Sequence, residues 1–265
     1  MNKQLVAMEV AADAAEHVVR SLNEVRERVA IHAKSRAASS DDPAAAMVPM
    51  PPTLIAVSKT KPPELVAAAC GAGQLDFGEN YVQEFVAKAP ALPDSIRWHF
   101  IGHLQSNKVK DLLGVPNLHC VHTVDTLKLA HELQKRSLQM RPDRPLAVFV
   151  QVNTSGEESK SGCTPAECVA LCTTVRDSCS ALRLSGLMCI GKYSSAEGGA
   201  EEDFACLARC RDEVASALGV QPASLALSMG MSHDYEVALA AGATHVRVGS
   251  TIFGARTPPP AKPQG

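Results

Sequence analysis

The stretch Leu54-Ile55-Ala56-Val57-Ser58-Lys59-Thr60-Lys61-Pro62-Pro63 decides how the rest of the chain is read. Four apolar residues in a row are too short for a buried helix and suit a strand covered on both faces, as in a parallel sheet. The run changes character at Ser58, and Pro63 suits the first turn of a helix, where its missing N–H costs nothing. Lys59 therefore falls where a strand ends and a βα loop begins, the side on which α/β proteins build their sites. Taken alone, such a lysine is an ordinary solvated strand end. The rest of the chain gives it another role.

Downstream, the same strand-then-helix unit recurs. Strands are expected at Leu75–Phe77, Trp98–Ile101, Leu118–Val124, Leu146–Val152, Leu182–Ile190, Leu225–Ser228 and His245–Val248. Between them the pattern turns helical. Glu64–Cys70 forms one helix, and Gly78–Tyr81 opens the next. Ser106 and Asp125 are expected as caps of later helices. Thr164-Pro165-Ala166-Glu167 combines a capping box with proline at the first helical position. Phe204, Leu207, Val214 and Leu218 mark a helix closed by Gly219, and Thr251–Phe253 begin a last one.

Eight alternations within 265 residues point to an α/β fold, a single (β/α)8 TIM-type barrel with an extra N-terminal helix. A doubly wound open sheet is the competitor, but no G-x-G-x-x-G follows the first strand. The division expected is a helix over 1–36, a linker over 37–52, the barrel over 53–256 and a disordered tail over 257–265. Val18, Leu22, Val25 and Val29 give the N-terminal helix its apolar stripe. That helix lies outside the repeat and has to pack across one end of the barrel or against a partner.

Hydrophobic residues at 46% and charged ones at 20% are ordinary for a soluble globular protein. A net charge of −2 offers no general attraction to nucleic acid or to an anionic membrane. No apolar run approaches the roughly 20 residues that cross a bilayer. The N-terminus lacks the apolar core of a signal peptide. Nine cysteines, an odd number, then read as reduced thiols of a cytoplasmic protein. Cys168 and Cys172, like Cys206 and Cys210, are four apart and share a helix face, a packing pattern.

In a barrel, functional groups gather where strands end. The ends of the seventh and eighth strands give Ser228-Met229-Gly230-Met231-Ser232 and Arg247-Val248-Gly249-Ser250-Thr251. Gly230 and Gly249 allow close backbone approach, and Ser228, Ser250 and Thr251 can donate to phosphate oxygens beside helix N-termini. Ser232 reads as a turn residue, and Asp234 could serve the next helix's N-terminus. A lysine facing such a site suggests a Schiff base to a phosphorylated aldehyde, for which pyridoxal 5′-phosphate is the natural candidate. Desolvation and the charge of Arg247 would lower the amine's pKa, as imine formation requires. Lys61, on the rim beside prolines, reads as solvated. His99 with His103, and His119 with His122, flank strand ends, but those spacings do not converge readily and no metal site is expected.

Leu54–Pro62 (L-I-A-V-S-K-T-K-P), Phe77–Gln83 (F-G-E-N-Y-V-Q), Trp98–Gln105 (W-H-F-I-G-H-L-Q), Val152–Lys160 (V-N-T-S-G-E-E-S-K), Leu227–Ser232 (L-S-M-G-M-S) and Val246–Gly254 (V-R-V-G-S-T-I-F-G) closely resemble the pyridoxal phosphate homeostasis protein family. With Gly186–Ile190, the resemblance runs in order from about residue 50 to 256. It implies one barrel similar to the N-terminal domain of alanine racemase, binding the cofactor covalently without an established reaction. It implies that Lys59 forms the Schiff base and that Ser228, Gly230, Gly249, Ser250 and Thr251 surround the phosphate. It puts Asn80 in the pocket, with Tyr81 and His99 nearby, and Arg247 near the pyridine nitrogen or the phosphate. Asn153–Gly162 would close over the mouth, with Lys160 as a second basic contact. The racemase draws a catalytic base from a further domain, which the residues after 254 are too few to supply. The function expected is therefore a non-catalytic carrier or buffer of pyridoxal phosphate, with a racemase-like enzyme or a lysine-dependent aldolase as alternatives. The partners expected are the cofactor and apo pyridoxal phosphate enzymes, with no nucleic acid or membrane, in a monomer or weak homodimer.

Overall fold

The apolar runs are buried on both faces: every residue of Leu146–Val152, and four of the five in Thr53–Val57. Such strands need helices on the outside and side chains within, and the chain supplies both. The computed structural model describes residues 2–38, 51–191 and 199–255. Strands β1 (Thr53–Val57), β2 (Asp76–Glu79), β3 (Arg97–Phe100), β4 (Leu118–Val124), β5 (Leu146–Val152), β6 (Leu182–Cys189), β7 (Ala226–Ser228) and β8 (His245–Val248) form a closed barrel in sequence order. All neighbours are parallel, and closure pairs Ile55 of β1 with Arg247 of β8. The barrel is the (β/α)8 TIM type.

Helices α2 (Pro63–Gly71), α3 (Val82–Lys88), α4 (Val109–Leu113), α5 (Leu127–Met140), α6 (Pro165–Ser178), α7 (Gly199–Leu218), α8 (Tyr235–Ala240) and α9 (Ser250–Phe253) follow the eight strands in turn, and α1 (Asn2–Ala38) precedes them. The stripe Val18, Leu22, Val25 and Val29 is buried, and α1 packs along α2, α8 and α9 on the barrel's flank. Arg26 ties it there by donating to the Ala72 carbonyl at 2.7 Å, and Arg28 pairs with Glu236 at 2.9 Å. Each fully buried Val or Leu contributes about 1.5–3 kcal/mol, so the stripe outweighs these exposed polar ties.

Several boundaries differ from the sequence reading. β2 runs on to Glu79, because its carboxylate is buried against Ser58 and Lys88 and holds the chain extended there. Asp125 is not a cap: Thr126 accepts from the Leu129 N–H instead. Ser106 opens a single 3₁₀ turn ahead of α4. The Thr164–Glu167 capping box is formed. All nine cysteines are free thiols; Cys168, Cys172 and Cys210 are buried in the core. No helix among the described residues is long and apolar enough to cross a membrane. Most of the linker read at 37–52, and the tail from Thr257, lie outside the described residues.

Candidate functional site

Lys59 stands two residues beyond β1, half-buried at the C-terminal mouth of the barrel. Strand alternation puts Ile55, Val57 and Lys59 on one side and Ser58 on the other. Ser58 is fixed from behind. Its hydroxyl donates to Glu79 Oε1 at 2.7 Å, and its carbonyl accepts from Lys88 Nζ at 2.8 Å. Lys88 also pairs with Glu79 at 2.8 Å and with Glu84 at 2.6 Å. Glu84 then takes the N–H of Thr60, whose φ of 61° lies in the left-handed region that non-glycine residues avoid. A buried ion network therefore holds the backbone on both sides of Lys59 in one strained conformation. Burial raises the pKa of Glu79, and the Lys88 ammonium opposes that shift. Lys61 is not simply solvated: its ammonium donates to the Ala255 carbonyl at 2.8 Å, joining the loop after β1 to the end of α9.

Asn80 follows β2 directly. Its Oδ1 is buried with no hydrogen-bond partner. Gly102 makes room for it, since a Cβ there would lie 2.0 Å from the Asn80 carbonyl oxygen. Tyr81 is exposed on the rim.

The loops after β7 and β8 interlock. Gly230 has φ +88°, and a Cβ on it would strike the Ala238 side chain at 2.5 Å, so only glycine fits this turn. The Gly230 carbonyl accepts from the Arg247 N–H at 3.0 Å. Ser232, read from the sequence as a turn residue, accepts from the Gly249 N–H at 3.0 Å, and Thr251 donates to the Ser232 carbonyl. Asp234 accepts from the Met231 N–H and does not cap α8 with its side chain. Ser250 and Thr251 are exposed at the start of α9.

Ser228 lies elsewhere. It is fully buried inside the barrel, below the mouth, and its Oγ accepts from Arg247 Nη1 at 2.9 Å. The other arm of Arg247 donates to the Cys189 carbonyl at 2.8 Å. Arg247 is itself buried, which pulls its pKa down from the usual guanidinium value.

From Ser228 a hydrogen-bonded line continues down the barrel. Ser228 Oγ lies 3.0 Å from His122 Nδ1, His122 Nε2 lies 2.9 Å from His99 Nδ1, and His99 Nε2 lies 3.0 Å from Asp76 Oδ1. Arg97 closes the line with two bonds to Asp76 at the N-terminal end. His99, implied by resemblance to lie near the cofactor, is thus in the barrel interior and faces His122. Burial alone would raise the Asp76 pKa, but the bonds from Arg97 and His99 outweigh it and hold the carboxyl well below its usual range. Burial, then the closeness of His99, His245 and Arg247, pushes the His122 pKa well down. The two histidine pairs that sequence spacing set aside each contribute one member to this line. Convergence occurs across strands, between His99 of β3 and His122 of β4. Cys120 and His122 two apart in β4, and His245 and Arg247 two apart in β8, were the signal available.

The loop Asn153–Gly162 is pinned over the β5 and β6 ends. Asn153 N donates to the Cys163 carbonyl at 2.9 Å, and Asn153 Nδ2 donates to the Glu157 carbonyl at 2.9 Å. Lys160 donates to the Gly191 carbonyl at 2.8 Å, and Ser161 Oγ meets His103 Nδ1 at 3.2 Å. Thr154, near the start of this loop, lies against the Cys189 thiol.

The family model for the alanine racemase N-terminal domain matches residues 43–257. The chain is similar to the pyridoxal phosphate homeostasis protein of Mus musculus, 47% identical over 211 residues that make up 77% of each chain. The protein of the same name from Schizosaccharomyces pombe is 47% identical over 206 residues, 77% of this chain and 84% of that one. Among solved structures, PipY of Synechococcus elongatus with PLP bound superposes with a TM-score of 0.67 at 31% identity, covering 89% of this chain and all of PipY. Alanine racemase from Streptomyces coelicolor, at 19% identity and a TM-score of 0.63 over 92% of this chain and 58% of its own, shares the fold.

Proposed function

Because the chain belongs to the pyridoxal phosphate homeostasis protein family, we propose that it binds pyridoxal 5′-phosphate at the barrel mouth, held by a Schiff base to Lys59, and serves as a non-catalytic carrier or buffer of the cofactor. The observation that carries this reading is a mouth built to hold a polar ligand. Asn80 Oδ1 is buried there without a partner, a state that native proteins seldom leave unanswered. Lys59 stands at one side on a backbone locked by Lys88, Glu79 and Glu84. Beside it, where β8 pairs with β1, the Gly249 N–H, the Ser232 and Thr251 hydroxyls and Ser250 gather at the start of α9, suited to a phosphate. Gly230 keeps the backbone of that loop close. Ser228 acts one layer below, fixing Arg247.

The bound cofactor supplies an aldehyde for the lysine and a pyridine ring able to accept electrons. Arg247 restricts the second property. A guanidinium only donates hydrogen bonds, so a ring nitrogen facing it stays unprotonated and withdraws electrons poorly. Binding is unaffected, whereas racemisation and decarboxylation are disfavoured. The reading places the protein in the cytoplasm, delivering to apo enzymes that need the cofactor.

Purified protein incubated with pyridoxal phosphate and dialysed should retain a visible absorbance band that Lys59→Ala lacks. Absence of the band in wild type, or its persistence in Lys59→Ala, overturns the assignment. Isotope exchange at Cα across a panel of amino acids should be undetectable; exchange with any of them would overturn the carrier reading in favour of an enzyme.

A further inference from the structure

We propose that His99, Cys120 and His122 form a binding site for monovalent copper inside the barrel, below and separate from the mouth. This inference does not rest on the cofactor reading. One ligand atom from each residue lies within 4.8 Å of the other two, and all three residues are buried. The β3–β4 pairing shifts register after Trp98, which brings Cys120 level with His99. No spacing within either strand reveals this meeting.

The second nitrogen of each ring argues for a metal centre rather than a chance cluster. A ligating histidine is usually oriented by a hydrogen bond from its other nitrogen to a carboxylate, carbonyl or hydroxyl. His99 Nε2 is held by Asp76 at 3.0 Å, and His122 Nδ1 by Ser228 at 3.0 Å. The remaining nitrogens, His99 Nδ1 and His122 Nε2, face each other at 2.9 Å with the Cys120 thiol beside them. With their outer nitrogens so held, the rings keep one nitrogen each, bonded to one another, beside the thiol.

The ligand set selects the cation. Thiolate and imidazole are soft donors that suit copper and zinc. Among the described residues the group has three members and is closed to water, whereas zinc prefers four ligands. Three donors with one thiolate make a neutral centre with Cu(I) but leave a positive charge with Zn(II). Buried Arg247, bonded to the same Ser228 that orients His122, disfavours that added charge. Exposed His119, its ring centre 5.3 Å from His99 near the N-terminal end of the barrel, marks a route in.

Binding balances with loss of one proton. Asp76 can only accept, so with neutral rings His99 carries its proton on Nε2 and accepts from His122 Nε2–H, and His122 Nδ1 accepts from Ser228. Copper replaces the Cys120 thiol proton, which leaves to solvent. The His122 proton moves from Nε2 to Nδ1, freeing Nε2 to ligate, and Ser228 turns from donor to acceptor on that side.

The test delivers Cu(I) anaerobically as its acetonitrile complex against the competitor bicinchoninate, with Zn(II) in parallel. One equivalent of copper should be held, and X-ray absorption should show a mixed shell of nitrogen and one sulfur. Cys120→Ser should bind at least about tenfold more weakly while keeping its thermal transition, and the Cys168→Ser/Cys172→Ser double variant should bind as wild type. A sulfur-only shell, full binding by Cys120→Ser, or zinc taken in preference to copper would each sink the proposal. Should Cys120→Ser fail to fold, the wild-type absorption spectrum alone decides.

Discussion

Arg247 and Ser228, from adjacent strands β8 and β7, meet at 2.9 Å inside the barrel, and the same hydroxyl reaches His122 at 3.0 Å. A charged group and a neutral ring therefore depend on one buried oxygen. Ser228→Ala leaves an Arg247 N–H and the His122 Nδ1 unpaired, and should lower unfolding free energy by about 1–3 kcal/mol. Urea denaturation at neutral pH measures it; a change within experimental scatter would show that the pair is not holding Arg247.

Lys88 is the counterion of a carboxylate with no exposed surface, Glu79. Lys88→Met should destabilise the protein by about 3–5 kcal/mol, because an unpaired buried charge remains. Adding Glu79→Gln should recover part of the loss, since the stranded charge is then gone. If the double variant is no more stable than the single one, the network around Lys59 is not governed by this pair.

Asn80 offers a buried Oδ1 that nothing in the protein satisfies. Asn80→Ala should therefore leave stability within about 1 kcal/mol of wild type while weakening cofactor retention about tenfold, the equivalent of one hydrogen bond. Fluorescence or absorbance titration with pyridoxal phosphate reads the second effect, thermal unfolding the first.

His245 is half-buried at the base of the barrel, and desolvation pushes its pKa down to about 3. Its pKa in the unfolded chain is about 6.5, so on acidification the unfolded state takes up a proton that the native state refuses. Stability from this residue is intact above about pH 6.5 and declines as pH falls toward 3. Between pH 7 and pH 5 the loss is about 2 kcal/mol. His245→Asn should flatten the decline by that amount in urea titrations at the two pH values.

Leu22 is fully buried where α1 meets the barrel's flank. Leu22→Ala should cost about 2–5 kcal/mol. Proteolysis in the native state should then release α1 before the barrel is cut, because Val18, Val25 and Val29 share the same seam.

The order and nature of the elements can be read from local patterns alone. Strands such as β5 are legible because a both-faces-buried strand is largely apolar, here unbroken over Leu146–Val150. The Thr164–Glu167 box and the α1 stripe are legible because caps and helical faces are local in sequence. Lys59 and the Gly230 and Gly249 loops could be placed at the mouth because barrel topology sends every strand end there.

Tertiary structure decided what meets what across strands. It turned Ser228 inward onto Arg247, gave Ser232 the Gly249 N–H, and put His99 against His122 beside Cys120. Side-chain alternation tells which residues point inward, but not their height along the barrel axis. That height is set by the register between neighbouring strands, as at Trp98 and His99, and register comes from the packing of the closed sheet.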